Sequence, residues 1–222
     1  RVDESVQRVL QAKAKRGILQ SPFVDAKKAK EVVGSEDNRK LALEAARKSI
    51  CLVRDQGSLI PLGTESCGKV LVVYPKVGAL VQVEDGSGDP TSLAGYLKPA
   101  IGKVDEMSMS QNPDIAEQGK ITAKAKDYDT VIILTSRPWS GGCRGQAQVV
   151  ANLAKKMQRV IAVALREPYD LKRYGEVGTY LAIFNSSGTS MKALGDVLTG
   201  DVKAEGKLPV TIPGFYPLGH GM

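Results

Sequence analysis

Val70-Leu71-Val72-Val73-Tyr74 is an unbroken apolar run in which no polar residue alternates with the β-branched ones. A strand with one wet face alternates, whereas a continuous run is what a strand covered on both faces requires. On its C-terminal side the pattern predicts a helix at 91–100, a weaker strand at Val104–Ser108 and a helix at 114–126. A second strong run, Thr130-Val131-Ile132-Ile133-Leu134-Thr135, follows. Beyond it come a helix at 145–157, strands at Val160–Leu165 and Thr179–Phe184, a helix at 189–199 and a last strand at Leu208–Ile212. On the N-terminal side lie Leu59-Ile60-Pro61-Leu62, a turn at Gln56-Gly57 and a strand from Ser49 to Arg54. The helix before that strand starts after Ser35 and runs to about Lys48, with Leu41, Ala45 and Ala46 expected on its buried side. Strands alternating with helices of about 10–15 residues predict a mostly parallel sheet with helices on both faces. The expected fold is therefore α/β, a three-layer αβα sandwich preceded by linker helices, with no internal repeat or low-complexity tract.

The 222 residues are 42% hydrophobic and 25% charged, enough to bury a core without a disulfide or metal staple. Apolar runs such as Val131–Leu134 fall far short of the roughly 20 residues a membrane span needs. Lys and Arg number 31 against 24 Asp and Glu, a net charge of +7, and residues 1–48 hold 12 of the basic and 7 of the acidic residues. With aromatics at 5% and no basic stretch interleaved with them, the charge reads as solvated helix faces rather than a nucleic-acid surface. Cys51, Cys67 and Cys143 form no CxxC pair and are odd in number, so neither a disulfide framework nor a zinc site follows. The chain opens at Arg1, as a cleaved leader or an excised domain would. Val2, Val6, Val9 and Leu10 recur at helical spacing, with Asp3 and Glu4 in the first turn, Lys13, Lys15 and Arg16 in the last, and Gly17 as the closing cap. The loop Leu19-Gln20-Ser21-Pro22 follows this amphipathic helix, whose apolar stripe calls for a partner surface.

Ligands of such sheets bind where loops leave the carboxyl ends of the strands. The loop after Thr130–Thr135 reads Ser136-Arg137-Pro138-Trp139-Ser140-Gly141-Gly142-Cys143-Arg144-Gly145. Its Gly141, Cys143 and Gly145 make a cysteine version of a nucleophile elbow, for which His220, the sole histidine, would have to be the base. Pro138 and Trp139 intervene between strand and helix, and a helix N-terminus built of small residues is the plainer reading. Trp139, the single tryptophan, either stacks on a sugar or fills an interface. Asp85-Gly86-Ser87-Gly88-Asp89 begins like a calcium loop but has Pro90 where glycine is required and Tyr96 in place of the bidentate Glu. No GxGxxG follows the first strand and no GxxxxGK[ST] is present. The carboxylate pairs Asp127/Asp129 and Glu167/Asp170 flank strand ends, where charged residues are ordinarily solvated.

The same residues carry a resemblance that runs along the whole chain. Ser35-Glu36-Asp37-Asn38-Arg39-Lys40-Leu41-Ala42-Leu43-Glu44-Ala45-Ala46-Arg47-Lys48-Ser49-Ile50 resembles the entry to the C-terminal domain of glycoside hydrolase family 3. Val53-Arg54-Asp55 followed by Leu59-Ile60-Pro61-Leu62 is similar to that family's "LLKN…LLPL" pattern. Gly206-Lys207-Leu208-Pro209-Val210-Thr211-Ile212-Pro213, then Tyr216-Pro217-Leu218-Gly219-His220-Gly221, resembles its closing signature. Arg1 to Ile18 resembles the last helix of the family's N-terminal barrel, which would account for the apolar stripe. Ala164-Leu165-Arg166-Glu167-Pro168-Tyr169-Asp170-Leu171 resembles the β-N-acetylglucosaminidase branch, and the Arg137-Pro138-Trp139 loop fits the same branch.

The resemblance implies residues 1–18 as the end of a barrel domain, 19–48 as interdomain linker and helix, and 49–222 as the C-terminal sandwich. It implies a parent that removes terminal N-acetylglucosamine from peptidoglycan or chitin fragments by the retaining mechanism, without metal or organic cofactor. The nucleophilic Asp and the His–Asp acid/base pair of that branch lie on loops of the (β/α)8 barrel, and the "KHFPGHG"-like motif is absent here. None of those roles maps onto this chain, and His220 is not the catalytic histidine. What the resemblance leaves to this domain is packing against the barrel and bordering its cleft, with Arg137, Trp139, Arg166 and Asp170 as the substrate-binding or interface residues. Two-domain members of the branch tend to be exported and wall-associated, with which the basic excess is compatible. Two alternatives stand beside this reading: a β-glucosidase-type parent to which this domain donates an acid/base carboxylate, and a stand-alone binding module or Cys143 hydrolase on the same scaffold.

Overall fold

The computed structural model describes residues 1–63, 66–76 and 92–222; the calcium-type stretch Asp85–Asp89 lies outside them. The chain divides into two compact units, Arg1–Ala42 and Leu43–Met222. In the first, α1 (Val2–Lys15) ends as the sequence predicts. Gly17 is left-handed at φ +69°, its N–H donates to Ala14 O, and the Ile18 N–H donates to Lys13 O, which satisfies the last carbonyls. Val2, Val6, Val9 and Leu10 stay exposed. A short helix α2 (Ala26–Val32) was not anticipated; the Asp25 carboxylate caps it by accepting from Lys27 N–H at 2.8 Å.

The second unit is built on a six-stranded sheet: β1 (Cys51–Asp55), β2 (Val70–Pro75), β3 (Val104–Met109), β4 (Thr130–Thr135), β5 (Val160–Ala164) and β6 (Thr179–Ala182). They lie in the order β1-β6-β5-β4-β2-β3, all parallel except β1, which runs antiparallel to β6. The continuous apolar runs are sorted by the pleat. Leu71, Val73, Val131, Ile133, Ala162, Ala164 and Tyr180 face one core, under α5 (Ile115–Ala125) and α6 (Arg144–Lys156). Val70, Val72, Ile132, Leu134, Ile161, Val163 and Leu181 face the other, under α4 (Leu93–Ile101) and α7 (Gly188–Thr199). Each buried aliphatic of this kind contributes about 1.5–3 kcal/mol relative to exposure. This is the three-layer αβα arrangement the sequence predicts.

Two local expectations are corrected. Leu208–Ile212 is not a strand of the sheet; Leu208 exchanges backbone hydrogen bonds with Gly219 and His220, and Ile212 forms a single bridge with Tyr216. Pro209 lies within the segment and Pro213 follows it, and without their N–H groups no sheet ladder continues through it. The chain instead folds back on itself and reaches the edge strand, where Met222 N–H donates to Leu52 O. The helix α3 (Glu36–Ser49) turns Ala46 inward as expected, but not Leu41 or Ala45. Leu41 is 64% exposed and Ala45 is exposed, while Leu43 and Ala46 pack on the core. The decisive residue is Arg47, whose Nε and Nη2 donate to Asp196 Oδ2 of α7 at 2.8 and 2.6 Å and so set the helix rotation.

Candidate functional site

β2 has β3 on one side and β4 on the other, so the chain reverses direction across the sheet between β2 and β4. Crevices outside the carboxyl ends of strands at such a reversal are where parallel sheets bind ligands. The loop 136–143 leaves β4 at this place. Its root is locked by Gln146 in the first turn of α6: Ser136 N–H donates to Gln146 Oε1 at 2.9 Å, and Gln146 Nε2 donates to Gln111 O at 2.7 Å. Gly145 N–H donates to Asn112 Oδ1 at 2.8 Å, and a Cβ at Gly145 would lie 2.2 Å from Pro113 O. The loop after β3 and the loop after β4 are thus held together through the start of one helix.

Above this lock the chain is strained. Arg137 is left-handed at φ +53°, a conformation costly for a non-glycine residue. The turn throws its guanidinium over the Trp139 ring, 4.9 Å from the centroid, and brings Nε within 3.3 Å of Glu167 Oε1. That ion pair lacks hydrogen-bond alignment, for Arg137 Nε remains without an acceptor. Glu167 ends the turn out of β5, and Pro168 starts a short 3-10 helix, Pro168–Arg173, that carries Asp170. Arg166 is half-buried on the same turn.

Asp170 is fully buried, contrary to the solvated carboxylate expected at a strand end. Its Oδ2 accepts from Thr135 Oγ1 at 2.8 Å, and Thr135 is also 2.9 Å from the Tyr174 hydroxyl. Burial, opposed by the Thr135 hydrogen bond, aided by Glu167 and opposed by the Arg137 charge, leaves the Asp170 carboxyl pushed up to about 8. Burial likewise lifts the Tyr174 and Tyr180 hydroxyls well above their usual range. Among the described residues the buried side-chain polar atoms without a partner are Ser136 Oγ, Arg137 Nε, Trp139 Nε1 and Asp170 Oδ1, all on this loop or at its foot. Such atoms are rare in folded proteins, and their concentration at one place marks it as more than a connection.

Beside the loop opens a cleft of about 740 Å³ lined by Trp139, Glu167, Tyr169, Lys172, Arg173 and Pro213. Of the residues singled out in the sequence, Arg137, Trp139 and Asp170 come together here, with Arg166 on the adjoining turn. Glu167, paired with Asp170 in the sequence reading as a carboxylate flanking a strand end, comes here too, while Tyr169 gains its place only through the fold. The other candidates disperse. Cys143 is buried, and burial raises its thiol, the reverse of what a nucleophile needs. His220 stacks on Tyr216 at 4.1 Å and its Nε2 is 2.8 Å from Val53 O on β1, a strand separated from β4 by β6 and β5. Asp127 pairs with Lys124 and Asp129 accepts from Lys69 N–H, both at the amino end of β4. No cluster of metal-ligating side chains occurs among the described residues, and no helix among them is long and apolar enough to cross a membrane.

Known proteins share this architecture. Residues 50–215 match the glycosyl hydrolase family 3 C-terminal domain. A β-xylosidase of Formosa agariphila is 26% identical over 96% of this chain and 33% of its own length. The β-glucosidase C of Emericella nidulans is 24% identical over 96% of the chain and 31% of its own. The chain thus spans about a third of the length of these relatives. A family 3 β-N-acetylglucosaminidase from Paenibacillus sp. str. FPU-7 superposes with a TM-score of 0.74 at 26% identity, over 95% of this chain and 39% of that one. A Listeria innocua β-glucosidase, at 16% identity and a TM-score of 0.73 over 99% of this chain and 39% of that one, shares the fold. With residues 50–215, three-quarters of its length, matched, the chain belongs to glycoside hydrolase family 3, as that family's C-terminal domain.

Proposed function

We propose that this chain is the non-catalytic C-terminal domain of a retaining exo-β-N-acetylglucosaminidase, packing against an N-terminal (β/α)8 barrel and bordering the barrel's substrate path through Arg137 and Trp139. The observation that carries this reading is the Arg137–Trp139–Glu167 cluster, held in a strained turn at the carboxyl end of the sheet beside an open cleft. Likeness to the Paenibacillus β-N-acetylglucosaminidase supports the choice of sugar. Relatives named as β-xylosidases and as β-glucosidases favour a second reading, a β-xyloside or β-glucoside, with the same division of labour. Donation of an acid/base carboxylate from this domain is less well supported. Among the described residues, loop 136–143 contains no carboxylate, Glu167 lies 3.3 Å from Arg137 Nε, and Asp170 has no exposed surface through which to reach a substrate.

The test is chromophore release from aryl N-acetyl-β-glucosaminide, β-xyloside and β-glucoside, by the chain alone and by a barrel-bearing parent. The chain alone is expected to release none, and the parent to prefer the N-acetylglucosaminide. Turnover that survives repurification of the chain alone would sink the division of labour. In the parent, Trp139→Ala is expected to raise KM several-fold with little loss of thermal stability. An unchanged KM with a lowered melting point would instead assign Trp139 to the barrel interface.

A further inference from the structure

We propose that the cleft beside Trp139 is a subsite for a sugar ring that carries a carboxylate. This deepens the function proposed above, since it takes the cleft to border a glycan, and its test separates the two. Size and lining come first: about 740 Å³, with the rings of Trp139 and Tyr169 among its walls, is ordinary for a small-molecule site. Charge then decides which small molecule. Lys172 and Arg173 line the cleft, are exposed, and make no ion pair among the described residues. Among the described residues the one lining carboxylate, Glu167, has Arg137 Nε 3.3 Å away. The cleft therefore presents two unmatched cations beside two aromatic rings.

Local geometry concentrates this charge. Tyr169, Lys172 and Arg173 all sit on the 3-10 helix Pro168–Arg173, in which side chains three apart eclipse, so Tyr169 and Lys172 share one side. The carboxyl carried by this same 3-10 helix does not oppose an anion. Asp170 is buried and pushed up to about 8, so it is mostly uncharged at neutral pH. A neutral sugar offers hydroxyls that amides and carboxylates recognise; an acidic sugar adds an oxygen pair that ammonium and guanidinium groups bind with charge-assisted hydrogen bonds, roughly twice as strong as neutral ones.

Trp139 is the chain's only tryptophan and lines the cleft, so its emission reports occupancy directly. The chain is titrated with two matched pairs, methyl β-glucuronide against methyl β-glucoside and N-acetylmuramic acid against N-acetylglucosamine, with saturation-transfer NMR on the sugar protons as a second readout. At least one acid is expected to bind about tenfold tighter than its neutral counterpart and to weaken with added salt. Which acid does so tells where on the ring the carboxylate sits. The gain is expected to vanish in Lys172→Ala/Arg173→Ala, both exposed positions where substitution leaves the fold intact. Equal binding of acid and neutral partner overturns the acid requirement while leaving the glycan border standing. Absence of binding by all four sugars overturns the subsite. Competition by acetate as effective as that by the acids reduces it to an unspecific anion site and overturns the proposal.

Discussion

Asp170 shows how one residue's place in a fold changes its chemistry. In the sequence it is a carboxylate after a strand; in the structure it is a fully buried group whose Oδ2 accepts from Thr135 and whose Oδ1 has no partner. Thr135, Tyr174, Glu167, Arg137 and Tyr180 surround it electrostatically. Because its pKa rises from 3.8 to about 8, the folded state holds the proton over a range in which the unfolded chain has lost it. The associated stabilisation is complete below the unfolded value and is lost as pH climbs through about 8. Asp170→Asn keeps the shape and removes the titration. Unfolding free energies from denaturant melts at pH 5 and pH 9 are expected to fall with pH by on the order of a few kcal/mol more in the wild type than in this variant. Equal slopes would mean the carboxyl is ionised in the folded state. The sequence offered no route to this, because desolvation depends on what Thr135 and Tyr174 bring from elsewhere in the chain. For Arg137 and Trp139 the route was shorter: a loop at the carboxyl end of the strongest strand, with the only tryptophan in it.

At the scale of elements, α6 is the hinge pin of the site. Its first turn supplies Gly145 and Gln146, which tie the loop after β3 to the loop after β4. Gly145→Ala would drive a methyl group into Pro113 O, a backbone atom that cannot swing aside. The expected loss is about 1–3 kcal/mol of stability, together with a changed Trp139 emission as the loop re-seats. A wild-type melting curve for this variant would show that the two loops are independent. Elements were well marked in the sequence wherever burial was two-sided. Thr130–Thr135 is a strand to the residue, and the helices before and after it differ from expectation only at their ends. Leu208–Ile212 was misread because an apolar run of that length suits a strand or a clasp equally, and the choice lies in whether residues 216–222 fold back on it. The face of α3 was misread for a related reason, since Leu41 and Leu43 compete on hydrophobicity alone and the Arg47–Asp196 pair breaks the tie.

For the whole molecule, every buried apolar side chain lies at or after Ile50, and the unit Arg1–Ala42 contributes none. Removing residues 1–42 is therefore expected to leave a cooperative fold whose melting temperature changes by no more than a few degrees, read by calorimetry. Collapse of the transition would show that the first unit is integral to the core. Within that first unit Val2, Val6, Val9 and Leu10 form an exposed apolar stripe on α1. What the sequence by itself determined was the three-layer sandwich, because burial on both faces leaves unbroken apolar strands between amphipathic helices, a pattern legible without coordinates; the family came separately, from the resemblance of the segments at 35–50, 53–62 and 206–221. Only the tertiary structure decided the site. The Arg137–Glu167 pair, the Thr135–Asp170 bond and the cleft between Trp139 and Lys172 each join residues from different loops, and no spacing rule along a chain encodes which loop ends a sheet will bring side by side.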